Sequence, residues 1–190
     1  MALRFKNDKD LLKKIRQGDK ESFELFYKME SEKIYKFVNF KINDSFEAEE
    51  IVQDIFFNFW DYVREGKEVN DALGLLYKIA RNKIIDYYRK NGIRPKILSL
   101  DDGEGYQLAS NKINDQDIEN ELDVSFEIKS IEQVMTELPD DYQDVMMMHF
   151  VREMKMAEIA AVINKSEGAV RVMIYRALKL LKKLLNEKNE

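Results

Sequence analysis

The residues best suited to chemistry in this 190-residue chain are cations rather than nucleophiles. They concentrate after the stretch AEIAAVINKSEGAVRVMIYRA, residues 157–177, begins its second half. On a helical projection at about 100° per residue, Arg171, Val172, Tyr175, Arg176 and Lys179 fall on one side. Val170, Ile174, Ala177, Leu178 and Leu181 fall on the other. A guanidinium is a rigid fork of donors that fits phosphate oxygens and the O6/N7 edge of guanine, so the first side suits duplex DNA. Upstream, Ile159, Ala160 and Ile163 form a short apolar face, Asn164 suits a left-handed stop, and Ser166 suits an N-cap. A short helix, a tight turn and a basic helix from about Glu167 to Leu185 have the form of a helix-turn-helix.

Two further helices carry charge of opposite sign. In SFEAEEIVQDIFFNFWDYV, Ala48, Val52, Ile55, Phe59 and Val63 share a core face. Glu47, Glu50, Asp54 and Asp61 share the opposite one, with Phe57 among them. An aromatic anchor ringed by carboxylates suits a basic protein partner; the same spacing also describes a solvated face with one stray aromatic. In LLYKIARNKIIDYYRKN, Lys78, Arg81, Asn82 and Arg89 lie within an arc of about 100°. Tyr87 and Tyr88 are interleaved, and Asp86 is the only acid from Tyr77 to Lys90. Cations with aromatics suit nucleic acid, single strands included, while a basic helix with its tyrosines in the core fits equally. In ELPDDYQDVMMMHFVREMK, Pro139 suits a helix start, the methionines suit core filling, and His149 a structural role.

The elements that position these groups follow from composition. Hydrophobic residues make up 45% of the chain, glycines number 7 and prolines 2, and apolar residues recur mostly at three and four. An all-α fold is expected. With no cysteine and one histidine, a thiolate site, a clustered metal site or a Ser-His-Asp set has no supporting residues, so neither enzyme activity, metal nor cofactor is expected. The start, MALRFKNDKDLLKK, lacks a signal-peptide core, and no run of about 18 apolar residues occurs, so a soluble, cytoplasmic chain without direct membrane insertion is expected. Net charge is −5, and it sits in one place: residues 91–125 hold 3 basic and 8 acidic side chains. The stretch also holds Pro95 and no sustained helical period, which marks a linker. The organisation expected is two small helical domains, 1–92 and 126–190, joined by an acidic flexible linker over 93–125, the C-terminal one a helix-turn-helix.

GDKESFELFY, EAEEIVQDIFFNFW, LLYKIARNKIIDYYRKN and LPDDYQDVMMMHFVREMKMAEIAAVINKSEGAVRVMIYRALKLLKK, in that order, resemble a bacterial sigma factor of the extracytoplasmic-function group of the sigma-70 family. The resemblance covers nearly the whole chain. It implies a subunit that recruits core RNA polymerase to promoter DNA, with an anti-sigma factor as a further partner. It implies that Glu47, Glu50, Gln53, Asp54 and Phe57 dock on the clamp helices of the largest polymerase subunit. It places Asn70, Lys78, Arg81, Asn82, Tyr88 and Arg89 at the −10 element, and Arg171, Val172, Tyr175, Arg176 and Lys179 at the −35 element. The acidic linker would run toward the RNA exit path. Three positions depart from the family pattern: Leu75 where tryptophan is frequent, Val172 where a small polar residue is usual, and Met173 where a base is. A stand-alone helix-turn-helix regulator and a helical adaptor with no DNA affinity are the competing classes.

Overall fold

The computed structural model describes residues 8–69, 71–94, 113–114, 116–118 and 128–189, which form helices joined by turns, with no strand among them. They fall into two compact units, Met1–Ile93 and Arg94–Glu190. Most of the acidic segment 93–125, and Asn70, lie outside the described residues.

The first unit comprises α1 (Asp8–Arg16), α2 (Lys20–Ile42), α3 (Ser45–Arg64) and α4 (Ala72–Lys90). An aspartate starts each of the last three. Asp19 accepts from the Glu21 N–H at 3.2 Å, Asp44 from Phe46 and Glu47 at 3.0 and 3.1 Å, and Asp71 from Leu73 at 3.1 Å. Each satisfies N–H groups that a helix start leaves without partners. The Ser22 hydroxyl donates to Asp19 at 2.6 Å and holds that carboxyl below its ordinary range. At α4 the cap needs room: a Cβ on Gly74 would collide with the Asp71 carboxylate, so glycine at this third helical position keeps the cap in place. Between α2 and α3 there is no loop to speak of. Asn43 ends α2 with φ 55° and ψ 33°, and Asp44 caps α3 at once.

Aromatic rings fill the α2–α3 seam. Phe26 stacks on Phe59 with centroids 4.7 Å apart, and Phe56 meets Phe26 and Tyr27 edge-on at 6.2 and 4.7 Å. Phe37 of α2 meets Tyr77 of α4 at 5.1 Å. Ile34, Val38, Ile55, Leu76 and Ala80 complete this core. Helix α1 adds Leu11, Leu12 and Ile15 to it and reaches the loop before α4, where Arg16 donates to the Lys67 carbonyl at 2.9 Å.

The second unit contains α5 (Ile128–Met135), α6 (Asp140–Met146), α7 (Met156–Ile163) and α8 (Glu167–Asn189). Pro139 stands just before α6 as its N-cap residue. Helix α6 runs directly into a wider π turn, Met147–Val151, which ends with Glu153 in the left-handed region at φ 53°. The Arg152 and Met154 N–H groups close back onto the carbonyls of Met147 and Met148 at 3.1 and 3.0 Å. His149 lies on this turn with Nδ1 3.2 Å from the Met154 carbonyl, a structural position. Helices α5, α6 and α7 all pack on α8. Met146, Met148, Met154 and Met173 are buried there among Val134, Leu138, Val145, Ile159 and Ile174. Lys188 near the end of α8 pairs with Glu137 beyond α5.

Phe59 and Phe57 sit two residues apart on α3, yet one is buried and the other lies in solvent. Phe59→Ala should therefore lower unfolding free energy by about 3–5 kcal/mol. Phe57→Ala should stay within about 0.5 kcal/mol of wild type. Denaturant titration followed by circular dichroism reads both; a large loss from Phe57→Ala would make that ring a core residue.

Candidate protein-docking and nucleic-acid interfaces

Helix α3 divides its circumference cleanly. Ala48, Val52, Ile55, Phe56, Phe59 and Val63 face the core. Glu50, Gln53, Asp54 and Phe57 are exposed, and Glu47 is half-buried. Phe57 is 64% exposed, a large ring with nothing packed over it. Asp54 is tied to the next helix, since Lys83 Nζ donates to its Oδ2 at 2.9 Å. Burial, with the Glu47 and Asp44 carboxylates nearby, pushes the Tyr87 phenol up, so its hydroxyl stays protonated beside the start of α3.

Sequence reading passed over Phe46, which is 68% exposed. It stands eleven residues before Phe57, three turns along the helix and nearly in line with it. Two bare rings about 16 Å apart, with Glu50 and Gln53 between, make a longer apolar stripe than Phe57 alone. The i, i+11 spacing of two phenylalanines outside the core pattern was the available signal.

On α4, Lys78, Asn82 and Arg89 are exposed and Arg81 is half-buried, and all four lie on one side. Arg89 Nη1 lies 3.3 Å from Asp86 Oδ1 one turn back. Tyr88 corrects the sequence expectation. It is only 8% exposed, and its hydroxyl donates to the Lys41 carbonyl of α2 at 2.8 Å. Its position continues the buried line Tyr77, Ala80, Ile84, and the carbonyl at the end of α2 satisfies the one polar atom it brings inside. Tyr88 is thus a core tyrosine and not part of the basic face.

Helix α7 ends at Asn164, with φ 56° and ψ 47°, whose N–H returns to the Ala160 carbonyl. Two residues later Ser166 Oγ accepts from the Ala169 N–H at 3.1 Å and starts α8. The junction therefore aims α8 through a left-handed stop and a side-chain cap only two residues apart. Outward from α8 stand Arg171, Tyr175 and Arg176, partly exposed, and Lys179, exposed. Lys179 Nζ lies 5.5 Å from the Tyr175 ring centroid. Arg171 Nη2 lies 3.6 Å from Glu167 Oε1.

Val172 does not belong to this set. It is 0% exposed, as are Val170 and Ile174. With three helices packed on α8, the buried arc near its start widens to take in Ala169, Val170, Val172, Met173 and Ile174. A single apolar stripe, as the projection assumed, leaves Val172 outside; a helix gripped from several sides does not. The valine found where the family pattern has a small polar residue is consistent with this burial.

Among the described residues no group of three or more His, Cys, Asp or Glu is arranged to hold a metal, and no helix is long and apolar enough to cross a membrane. Residues 26–93 match the family model described as Sigma-70 region 2, and residues 128–181 match Sigma-70, region 4. The chain is 27% identical over 184 residues to the ECF RNA polymerase sigma factor SigW of Bacillus subtilis, covering 94% of this chain and 97% of that protein. Among solved structures it resembles CnrH in its complex with the cytosolic domain of CnrY, with a TM-score of 0.68 at 18% identity over 95% of this chain and 97% of that one. It also resembles the sigma factor RpoE, crystallised with the anti-sigma factor NepR from Bartonella quintana, with a TM-score of 0.62 at 17% identity over 87% and 98%.

The burial of Val172 sets a test. Val172→Ser should lower stability by about 1–3 kcal/mol, because it opens a gap and buries a hydroxyl. Base preference of α8 should stay as it was. Lys179→Ala, on the exposed side, should change stability by no more than about 0.5 kcal/mol. Thermal melting together with a binding titration over variant duplexes separates the two effects.

Proposed function

The chain belongs to the extracytoplasmic-function group of the sigma-70 family, and from that premise we propose that it binds core RNA polymerase and directs it to promoter DNA. Its contribution is recognition, with no catalytic step of its own. One observation carries the reading: a phenylalanine pair and carboxylates lie bare on α3, while the other unit presents a cationic helix behind a helix-turn-helix junction. A regulator that binds DNA alone has no use for the first surface.

In this reading Phe57, Glu50, Gln53 and Asp54, with Glu47 at the edge, dock on a basic face of the polymerase, and Phe46 extends the contact. Large aromatic anchors within a polar rim are the usual source of binding energy at such a surface. Lys78, Arg81, Asn82 and Arg89 of α4 engage the −10 element. Arg171, Tyr175, Arg176 and Lys179 engage the −35 element. The domain limits proposed are 1–92 and 126–190, with the acidic linker between them. A further partner is an anti-sigma factor, the class that NepR represents for RpoE. Such a protein would compete for the same exposed faces.

The two DNA-facing surfaces are small, and each offers few phosphate contacts. The free chain should bind promoter duplex weakly, near the non-specific range of about 10⁻⁴–10⁻⁶ M at physiological salt. Core polymerase should raise affinity and specificity together by fixing the spacing of the two units. A mobility-shift titration with and without core polymerase, paired with run-off transcription, tests this. Nanomolar, sequence-specific binding by the chain alone would point instead to a stand-alone regulator. Phe57→Ala combined with Asp54→Lys should weaken polymerase binding and leave the melting temperature near that of wild type.

A further inference from the structure

We infer that Glu167 is a specificity-determining residue of α8, which accepts the amino group of a cytosine within one base step of the guanine held by Arg171. The inference rests on the proposed role of α8 in reading duplex DNA.

The geometry begins with the pair itself. Glu167 opens α8 and Arg171 follows one turn later on the same side, with Oε1 and Nη2 3.6 Å apart. The Glu167 side chain is 53% exposed and that of Arg171 is 23% exposed, so the carboxylate lies further out than the guanidinium. Val172 and Met173, the next residues along, are buried and offer nothing to a base. The outward start of α8 therefore presents one acceptor and one forked donor side by side, held together before any DNA arrives. Gly168 lies between them and adds no side chain to crowd the approach.

The chemistry of base edges then selects the target. In the major groove guanine presents two acceptors, O6 and N7, and thymine presents the acceptor O4. Adenine presents a donor at N6 beside an acceptor at N7. A carboxylate is repelled by every one of those acceptors. Cytosine alone presents a donor, N4, with no acceptor beside it in that groove. A donor fork that seeks O6 and N7 and an acceptor that seeks N4 are what a guanine and a neighbouring or paired cytosine require. Side chains four apart on a helix are close enough to reach edges within one base step.

The carboxylate also has a repulsive role. Phosphates surround any misplaced encounter, and an acid at the tip of α8 penalises contacts in which no cytosine amino group is there to receive it. It also holds the Arg171 guanidinium away from indiscriminate phosphate binding. Other acids on the second unit do not substitute for it: from Ser166 to Leu185, Glu167 is the only one.

The alternative is that Glu167 serves only the helix, as an acid placed favourably at a positive helix end. The test separates the roles. Wild type, Glu167→Gln and Glu167→Asp are each assembled with core polymerase and assayed by run-off transcription on a library of templates varied across the −35 region. Asp keeps the charge at the helix end but shortens the reach to the base. The expected result is that both variants lose preference for cytosine at one position by about fivefold or more, while the guanine preference beside it persists. Glu167→Gln should in addition bind non-specific duplex more tightly. A preference profile unchanged in both variants, with wild type active, would overturn the inference and leave Glu167 a helix-end residue. Silence of the wild-type holoenzyme on every template would overturn the proposed function, and the inference with it.

Discussion

Each helix has one circumference, and whatever part of it the core claims is lost to every partner. That division governs both units. On α3 the aromatic seam with α2 takes Phe56 and Phe59 and leaves Phe46, Glu50, Asp54 and Phe57 outside. On α4 the line through Tyr77, Ile84 and Tyr88 faces inward, and the cations are what remain. On α8 the inward share is larger still, because three helices press on it. Its functional face is correspondingly narrow, and each outward side chain near its start carries more of the recognition.

Much of this division was legible in the sequence, since it depends on local period. The core face of α3 and the stop and cap around Asn164 and Ser166 followed from spacing and residue type. The exceptions share one cause. Tyr88 and Val172 sit at the margins of their apolar stripes, where the side they take is decided by a second or third packing neighbour. A projection of one helix contains no such neighbour. Tyr88 adds a further reason: a tyrosine buries readily when a carbonyl waits for its hydroxyl, and the carbonyl of Lys41 lies 47 residues away in sequence. Phe46 was missed for the opposite reason, because a ring at the first turn of a helix is outside the window in which periodicity is strongest.

The same device joins helices in both units. Asn43 in the left-handed region is followed at once by the cap Asp44, and Asn164 in the left-handed region is followed two residues on by the cap Ser166. Asparagine tolerates that conformation better than most residues, and a side-chain acceptor then satisfies the next helix start. Such junctions leave little slack, so the direction of each second helix is set by backbone geometry and not by contacts along its length. The loop before α4 is longer, and there the fixing is done by side chains from elsewhere, through Arg16 and through Lys67 over the Tyr62 ring at 4.7 Å.

The π turn at Met147–Val151 has no glycine or proline to announce it, and it ends on a left-handed Glu153. A turn of this kind accommodates one residue more than an α-helix of the same rise, so it has the form of a single-residue insertion absorbed in place. Seen as evolutionary bookkeeping, it is a scar that cannot be excised alone. Removing one residue there would turn everything downstream by roughly a quarter of a revolution. Met154 would swing off the core, and α7 and α8 would arrive with the wrong sides facing inward. The length of this short segment is therefore under a stricter constraint than its composition. Methionines and aliphatic residues there are interchangeable in kind, but their number is not.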